Sequence, residues 1–251
     1  VIAWMLSGPD VEYWVPLPDS TQPLRAILDS YTKQHSAEYQ AQALIDIGFA
    51  LHARGLDLDS VTDVLIRTSH HTHHVIGTGS NDPQKMDPDS SRETLDHSVM
   101  YILAVAWEDG AWHHVDSYTS ERAHRPSTVS LWQKIRTEEA SDWTQAYHAT
   151  DFRNKKFGAE VVVTLSNGDQ VIESLDNPNA HSLGASPFAR ADYIGKLRTM
   201  GDGVADPDEI DRFIGLVEDL ERLSADDVAR LNIVVPADRL QDTSAERVGI
   251  L

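Results

Sequence analysis

The chain has 251 residues, and 21 Lys or Arg against 40 Asp or Glu give it a formal net charge of −19. This charge argues against nucleic acid or an anionic membrane surface as a partner, because both attract basic proteins. No cysteine is present, which excludes disulfides, thiolate zinc sites and Cys-bound iron–sulfur clusters within the chain. The longest apolar run, Val99–Trp107, is too short to span a bilayer. We therefore expect a cytoplasmic protein.

Prolines at positions 9, 16, 18 and 23 interrupt the beginning of the chain. Because proline breaks helices, these residues predict an ordered connector rather than a long helix. The chain begins at Val1 with neither an initiator Met nor a basic stretch before an apolar one. We therefore predict no signal peptide and interpret the start as a cut within a larger protein.

The first regular element is an amphipathic helix. Apolar residues recur at helical spacing over residues 37–54, which predicts one face directed to a core. Ser36 is placed to cap the start of this helix, and Gly55 lies just past its end.

A strand, a loop and a buried helix are predicted next. The β-branched run Val61–Thr68 is typical of a strand. Residues 77–92 are polar and contain two prolines, which indicates a loop. The apolar residues 98–107 then predict a buried helix, with Asp96 as its cap.

The clearest local pattern is a β-hairpin. Residues 159–166 and 170–175 flank the dipeptide Asn167-Gly168, and the first segment alternates apolar and polar side chains. Asn-Gly between two such runs favours a type I′ turn, in which both central residues take a positive φ.

The rest of the chain is predicted to be helical. Residues 187–200 and 207–223 have helical spacing of apolar side chains, and Ser224 has the capping chemistry of a short final helix. All of the predicted strands fall between residues 60 and 175. The sequence therefore predicts an α+β fold.

Four of the twelve histidines lie in the segment 70–74. On a helix, His70 and His74 would share a face, which suits two metal ligands. No HExxH motif occurs, and the spacing identifies no third ligand, whereas a metal site needs three or four. The favoured interpretation is a polar, partly exposed segment, so we predict no metal site.

Two groups of residues have the chemistry of an active site. Lys33 and His35 immediately precede the helix at 37–54, where backbone N–H groups favour an anion. His97 and Tyr101 are four residues apart near the start of the buried helix, hence on one face. A solvated lysine and a core tyrosine are the ordinary alternatives.

The two groups also resemble a known family. The segments YTKQHSAEYQAQ at 31–42 and DHSVMYILAVA at 96–106 are similar to motifs of the MmgE/PrpD family. Asp109-Gly110, the Asn-Gly hairpin and Asp176-Asn177-Pro178 follow in the order that this family has. The resemblance covers most of the chain, and its bacterial 2-methylcitrate dehydratase branch is the most similar.

This resemblance implies a two-domain organisation. Residues 1–29 would be a connector at the end of a helical domain, and residues 30–190 a lid-type α/β domain with the hairpin in its sheet. Residues 191–251 would be helices that return to the mostly helical second domain. The chain would then be a C-terminal fragment with an incomplete site between the domains, weakly active or inactive alone. Apolar surface left uncovered by the missing part favours a homo-oligomer.

The resemblance also assigns roles to single residues. It places catalytic residues at Lys33, His97 and Tyr101, and substrate-binding residues at His35, Glu38 and Gln40. Glu38 and Gln40 stand where some relatives carry histidine, which leaves the subtype of the enzyme open.

The reaction implied is loss of water from a β-hydroxy tricarboxylate such as 2-methylcitrate, as in propionate catabolism. This chemistry needs a base, an acid and cations that hold the carboxylates, and the family performs it without a cofactor. Decarboxylation of cis-aconitate is the second candidate. A non-catalytic binding module, using the acidic helices and the His-rich segment, is an alternative from a different class.

Overall fold

The computed structural model describes residues 19–21 and 33–240. Contacts divide the chain into two units, Val1–Tyr31 and Thr32–Leu251. In the first unit only residues 19–21 are described, where Asp19 accepts hydrogen bonds from the backbone and the hydroxyl of Thr21. The rest of the predicted connector lies outside the described residues, and the boundary near residue 190 stays a prediction.

The second unit combines short helices with one sheet. Its described α-helices are α1 (Gln42–Ala53), α2 (His70–Val75), α3 (Arg92–Asp96), α4 (Val99–Asp109), α5 (Ser120–Ala123), α6 (Pro126–Trp132), α7 (Ser141–Tyr147), α8 (Arg190–Gly201), α9 (Pro207–Glu218) and α10 (Ala225–Val228). Its described strands are β1 (Val61–Thr68), β2 (Ile135–Glu139), β3 (Ala159–Leu165) and β4 (Gln170–Leu175). The predicted α+β class is therefore confirmed.

The four strands form one mixed sheet in the order β2-β1-β3-β4. β1 runs parallel to β2, with Ile66 opposite Thr137, and antiparallel to β3, with Ile66 opposite Val161. β3 and β4 are the antiparallel hairpin. The parallel pair requires a crossover, which the helices between residues 70 and 132 provide.

The core is built around α1 and α4. Every residue from Val99 to Trp107 is buried, as expected for a helix that is apolar on all sides. The two helices approach closely at Gly48, where a Cβ atom would lie 2.8 Å from the Cβ of Ala106. Among the described residues, no helix combines the length and apolar character that a bilayer span requires.

The predicted hairpin is confirmed, but its turn is of a different type. Gly168 has a φ of +88°, whereas Asn167 is not among the residues with a positive φ. Gly168 N donates to Leu165 O, and Leu165 N donates to Asp169 O. This pattern is a type I turn closed by a left-handed glycine, because the loop is longer than the two residues that a type I′ turn uses.

Two predicted helix caps are wrong. Asp96 is the last residue of α3, and Ser98 caps α4 through its Oγ, which accepts from Tyr101 N. The helix predicted from residue 37 begins as a 3₁₀ turn at Tyr39–Ala41, capped by Glu38 and not by Ser36. In both cases another residue closer to the first free N–H groups satisfies them.

A buried ionic cluster closes the end of α4. The Arg122 guanidinium lies 2.8 Å from a carboxylate oxygen of Glu108 and 2.8 Å from one of Asp109. Arg122 and Glu108 have side chains that are 5% and 9% exposed, so this pair is shielded from water. Arg125 reaches the second oxygen of Asp109 from the surface.

Candidate active site

The segment that precedes α1 is held by the side chain of Gln42. The amide nitrogen of this buried residue donates to the carbonyl oxygens of His35 and Ala37, at 3.0 and 3.1 Å. The amide oxygen accepts from the backbone N–H of His35 at 2.9 Å. Without Gln42, these backbone N–H and C=O groups would have to hydrogen-bond to water. The side chain of Gln42 therefore determines the path of residues 35–38.

Glu38 lies at the end of this segment, half-buried, and its carboxylate accepts from the backbone N–H of Gln40 at 2.5 Å. Burial raises the pKa of Glu38 above its usual range, and the charges of Lys33 and His97 act on that pKa in the opposite direction. A carboxyl group of raised pKa is better suited to proton transfer near neutral pH than an ordinary one.

The carboxylate of Glu38 belongs to a group of side chains from three elements, which we call the Glu38 cluster (Glu38, Gln40, His71 and Tyr147). When the Gln40 amide nitrogen faces Glu38, its oxygen accepts from Nε2 of His71 at 3.0 Å. In this orientation the amide oxygen of Gln40 also lies 3.4 Å from the Tyr147 hydroxyl. The rings of His71 and Tyr147 are stacked with their centroids 5.5 Å apart.

Burial determines the protonation of the other members of the cluster. It lowers the pKa of His71, with a further contribution from His148, and it raises the pKa of Tyr147. Both shifts favour the neutral forms at neutral pH. The cluster therefore presents one carboxyl group beside neutral hydrogen-bonding side chains.

Two ammonium groups lie beside this segment. The Lys196 ammonium on α8 donates a hydrogen bond to the backbone carbonyl of Lys33. Burial lowers the pKa of Lys196, and the charge of Lys33 lowers it further. Neither ammonium group forms a salt bridge within the described part of the chain, so both charges are available to a carboxylate ligand.

His97 has an exposed side chain at the end of α3. Its Nδ1 lies 2.8 Å from the carbonyl oxygen of Glu93 and 3.9 Å from a carboxylate oxygen of Asp96. The charge of His97 acts on the pKa of Glu38. The charges of His97 and Lys33 thus both act on the carboxyl group of Glu38, and both lower its pKa.

Tyr101 is placed differently. Its side chain is fully buried in α4, and its hydroxyl donates to the carbonyl oxygen of Ser117 at 2.6 Å. Burial raises its pKa to about 12. The neighbouring hydroxyl of Tyr118 is the one that reaches the loop, since it lies 2.8 Å from the carbonyl oxygen of Ser36 and 2.5 Å from Asp96.

His35 is buried in the loop before α1. Its Nε2 lies 3.4 Å from the carboxylate of Asp46, and its ring contacts Phe49 edge to face. It also lines an open cleft of about 480 Å³ that Lys196 borders from α8. The described cleft contains neither Glu38 nor Tyr101 among its lining residues.

Glu38 therefore interacts with Gln40 through a hydrogen bond and with Lys33 and His97 through charge. The His35 ring instead contacts Asp46 and Phe49, and the Tyr101 hydroxyl bonds the carbonyl oxygen of Ser117. Their roles in catalysis stay predictions. Sequence reasoning missed His71, Tyr147 and Lys196 as neighbours of this group. His71 carried a signal, since it belongs to the His-rich segment, but nothing in the sequence distinguishes Tyr147 or Lys196 from ordinary surface residues.

A comparison with protein families agrees with the motifs. The model of the MmgE/PrpD C-terminal domain matches residues 35–222. This range begins at the loop before α1, includes the whole sheet, and extends beyond α9. The chain therefore belongs to the MmgE/PrpD family, and this membership supports a lyase-class, dehydratase-like function at the level of the family.

Proposed function

We propose that the protein removes water from a β-hydroxy tricarboxylate of the 2-methylcitrate type. The observation that carries this proposal is a half-buried carboxyl group of raised pKa, Glu38, on which the charge of Lys33 acts. A second ammonium group, that of Lys196, donates to the carbonyl oxygen of Lys33, and neither ammonium forms a salt bridge among the described residues. The substrate supplies several carboxylates, which require cations, and an acidic C–H bond, which requires a base.

The elimination balances with these groups. Glu38, as the carboxylate, takes the proton from the carbon next to a substrate carboxylate, and the electron pair of that C–H bond forms the new C=C bond. The C–O bond of the β-hydroxyl breaks, and the hydroxide leaves as water after it receives a proton. Lys33 and Lys196 stabilise the negative charge that develops on the carboxylate during proton removal.

We assign the remaining predicted residues by their positions. His97, exposed and electrically coupled to Glu38, would relay the proton to the leaving hydroxide. Gln40, in contact with Glu38, would orient the base and bind substrate. His35, at the cleft, would bind a carboxylate of the substrate.

For Tyr101 we propose a positioning role. Its ring packs near that of Tyr118, with centroids 6.5 Å apart, and Tyr118 in turn bonds the loop at Ser36. A direct contact of Tyr101 with substrate would require its hydroxyl to leave the carbonyl oxygen of Ser117.

The proposal is tested by turnover of 2-methylcitrate in the full-length protein. Changing Lys33 to Ala should lower turnover by orders of magnitude, and Lys196→Ala should mainly raise KM, because it removes one carboxylate contact. Lys134→Ala, a change of the same type just before β2, is the matched control. Near wild-type turnover by Lys33→Ala would remove Lys33 from the mechanism.

Assays with 2-methylcitrate and with cis-aconitate separate the two subtypes of reaction. Formation of an alkene with release of water identifies a dehydratase, whereas release of CO₂ from cis-aconitate identifies the decarboxylase. A protein that does neither but binds the acids would be a binding module.

A further inference from the structure

His70 and His74 of the His-rich segment lie beside a third possible metal ligand, Glu139, which the sequence spacing could not reveal. His70 and His74 lie on one face of α2, and Glu139 is the last residue of β2. Nδ1 of His70 is 2.8 Å from Oε2 of Glu139, and Nε2 of His74 is 3.7 Å from the same oxygen. One ligand atom from each of the three residues lies within 4.8 Å of the other two.

The ring of His74 is oriented by a backbone group. Its Nδ1 lies 3.2 Å from the carbonyl oxygen of Gly79, and because a carbonyl only accepts, Nδ1 must be the donor. The other ring nitrogen, Nε2, is the one that faces the carboxylate of Glu139. Metal-bound histidines commonly donate their second N–H to a carbonyl in this way. A bound ion would replace the hydrogen bond that Oε2 of Glu139 accepts from Nδ1 of His70.

The carboxylate of Glu139 is also held in place. Its second oxygen, Oε1, accepts from the hydroxyl of Thr144 at 3.0 Å. That hydroxyl accepts from the backbone N–H of His70 at 2.8 Å. Outer hydrogen bonds of this kind orient metal ligands and increase metal affinity.

The distances suit a small transition-metal ion. Ligands at about 2.0–2.1 Å from a tetrahedral Zn²⁺ lie about 3.3 Å from one another. The separations of 2.8 and 3.7 Å lie on either side of that value. Two imidazoles favour zinc or a similar late divalent ion over Mg²⁺ and Ca²⁺, which prefer all-oxygen ligand sets.

We propose that His70, His74 and Glu139 bind one divalent transition-metal ion of the zinc type, with water completing the coordination on the exposed side. All three side chains are exposed, so the ion enters from solvent without opening the fold. Binding joins α2 to the end of β2. It thereby stabilises the helix that carries His71 of the Glu38 cluster, although the site itself does not depend on the proposed reaction.

Titration of the 251-residue chain, without a polyhistidine tag, with ZnCl₂ in a calorimeter tests this site. We expect one Zn²⁺ per chain. Glu139→Gln should weaken binding at least tenfold, which is the lower end of the loss seen when even an outer partner of a ligand is removed. His74→Asn should weaken it similarly. Absorption of bound Co²⁺ provides a second readout, since its intensity reports the coordination geometry.

The matched control is His124→Asn, because His124 is an exposed histidine that also lies 2.9 Å from a carboxylate, that of Asp89. It should leave Zn²⁺ affinity unchanged. The amide oxygen that Glu139→Gln introduces can still accept from Thr144. The variant changes only an exposed contact with His70, so its thermal unfolding without metal should differ little from that of the wild type. No binding by the wild type, or equal binding by the wild type, Glu139→Gln and His74→Asn, would overturn the proposal.

Discussion

The carboxyl group of Glu38 lies among groups that act on its pKa in opposite directions. Burial raises the pKa, and the positive charge of Lys33 lowers it. If Glu38 is the base, activity is lost as the pH falls and the carboxylate becomes protonated. The acidic limb of the pH profile should therefore lie above the usual glutamate range.

The effect of the Lys33 charge on Glu38 predicts how the acidic limb of the pH profile moves when Lys33 is changed. In Lys33→Ala the charge that lowers the pKa of Glu38 is gone, so the residual kcat/KM should begin to fall at a higher pH than in the wild type. Lys134→Ala should leave the limb in place. The measurement is kcat/KM against pH, and a limb that stays or moves to lower pH in Lys33→Ala would show that Glu38 is not the titrating group.

His181 is a single residue that makes the stability of the fold depend on pH. Its ring is buried, and its Nδ1 accepts from the backbone N–H of Leu183 at 3.0 Å. Burial lowers its pKa, so the folded protein binds this proton less readily than the unfolded chain. The stability contribution is therefore complete above the ordinary histidine pKa of about 6.5 and declines as the pH falls through the lowered folded value.

Urea unfolding between pH 7.5 and 5 measures this effect. The free energy of unfolding should fall more steeply with acid in the wild type than in His181→Asn, whose amide oxygen can accept from Leu183 without titrating. Equal slopes would show that His181 does not contribute to the acid sensitivity.

Site residues that lie within one sequence motif could be predicted. Site residues that the fold brings together from distant parts of the chain could not. Glu38 and Gln40 lie in the same short segment as Lys33, so the resemblance of that segment to the family identified them together. His71 and Tyr147 reach Gln40 from α2 and α7, and Lys196 reaches the backbone of Lys33 from α8. No spacing rule connects residues that are so far apart along the chain.

At the scale of elements, the end of α4 depends on one buried guanidinium. Removing one partner of a buried ion pair leaves the other charge without compensation, which costs about 3–5 kcal/mol. Arg122→Ala should lower the free energy of unfolding by that amount, since Glu108 would remain shielded from water.

Arg125→Ala is the matched comparison, because Arg125 contacts the same Asp109 but is exposed. A surface pair contributes about 0–1 kcal/mol, so the loss should be small. Urea unfolding of the two variants gives both numbers. Similar losses for Arg122→Ala and Arg125→Ala would show that burial does not set the strength of this cluster.

Elements with strong local patterns were predicted well. The strand Val61–Thr68 and the short helix after Ser224 are confirmed. The hairpin is confirmed, but the predicted turn type is wrong. The last pair of the two strands is Thr164 with Gln170, so the loop between them is longer than Asn-Gly. The cap at Ser98 was missed because α3 takes Asp96 as its own last residue.

At the scale of the whole molecule, charge opposes the proposed substrate. A net charge of −19 repels a tricarboxylate at long range, so recognition must arise from Lys33 and Lys196 over short distances. The α+β class was predictable from the order of periodic segments. The domain boundaries and the homo-oligomer stay predictions, because they concern surfaces whose partners the sequence does not identify.

The central claim is that Glu38 removes a proton from a β-hydroxy tricarboxylate during loss of water. The most direct test is proton NMR of 2-methylcitrate incubated with the full-length wild-type protein and with Glu38→Gln. The account predicts the methyl and methylene signals of the unsaturated product with the wild type, and a rate of product formation lower by about 10²–10⁴-fold in the variant, the usual range for a general base. Alkene formation by Glu38→Gln at the wild-type rate would contradict it.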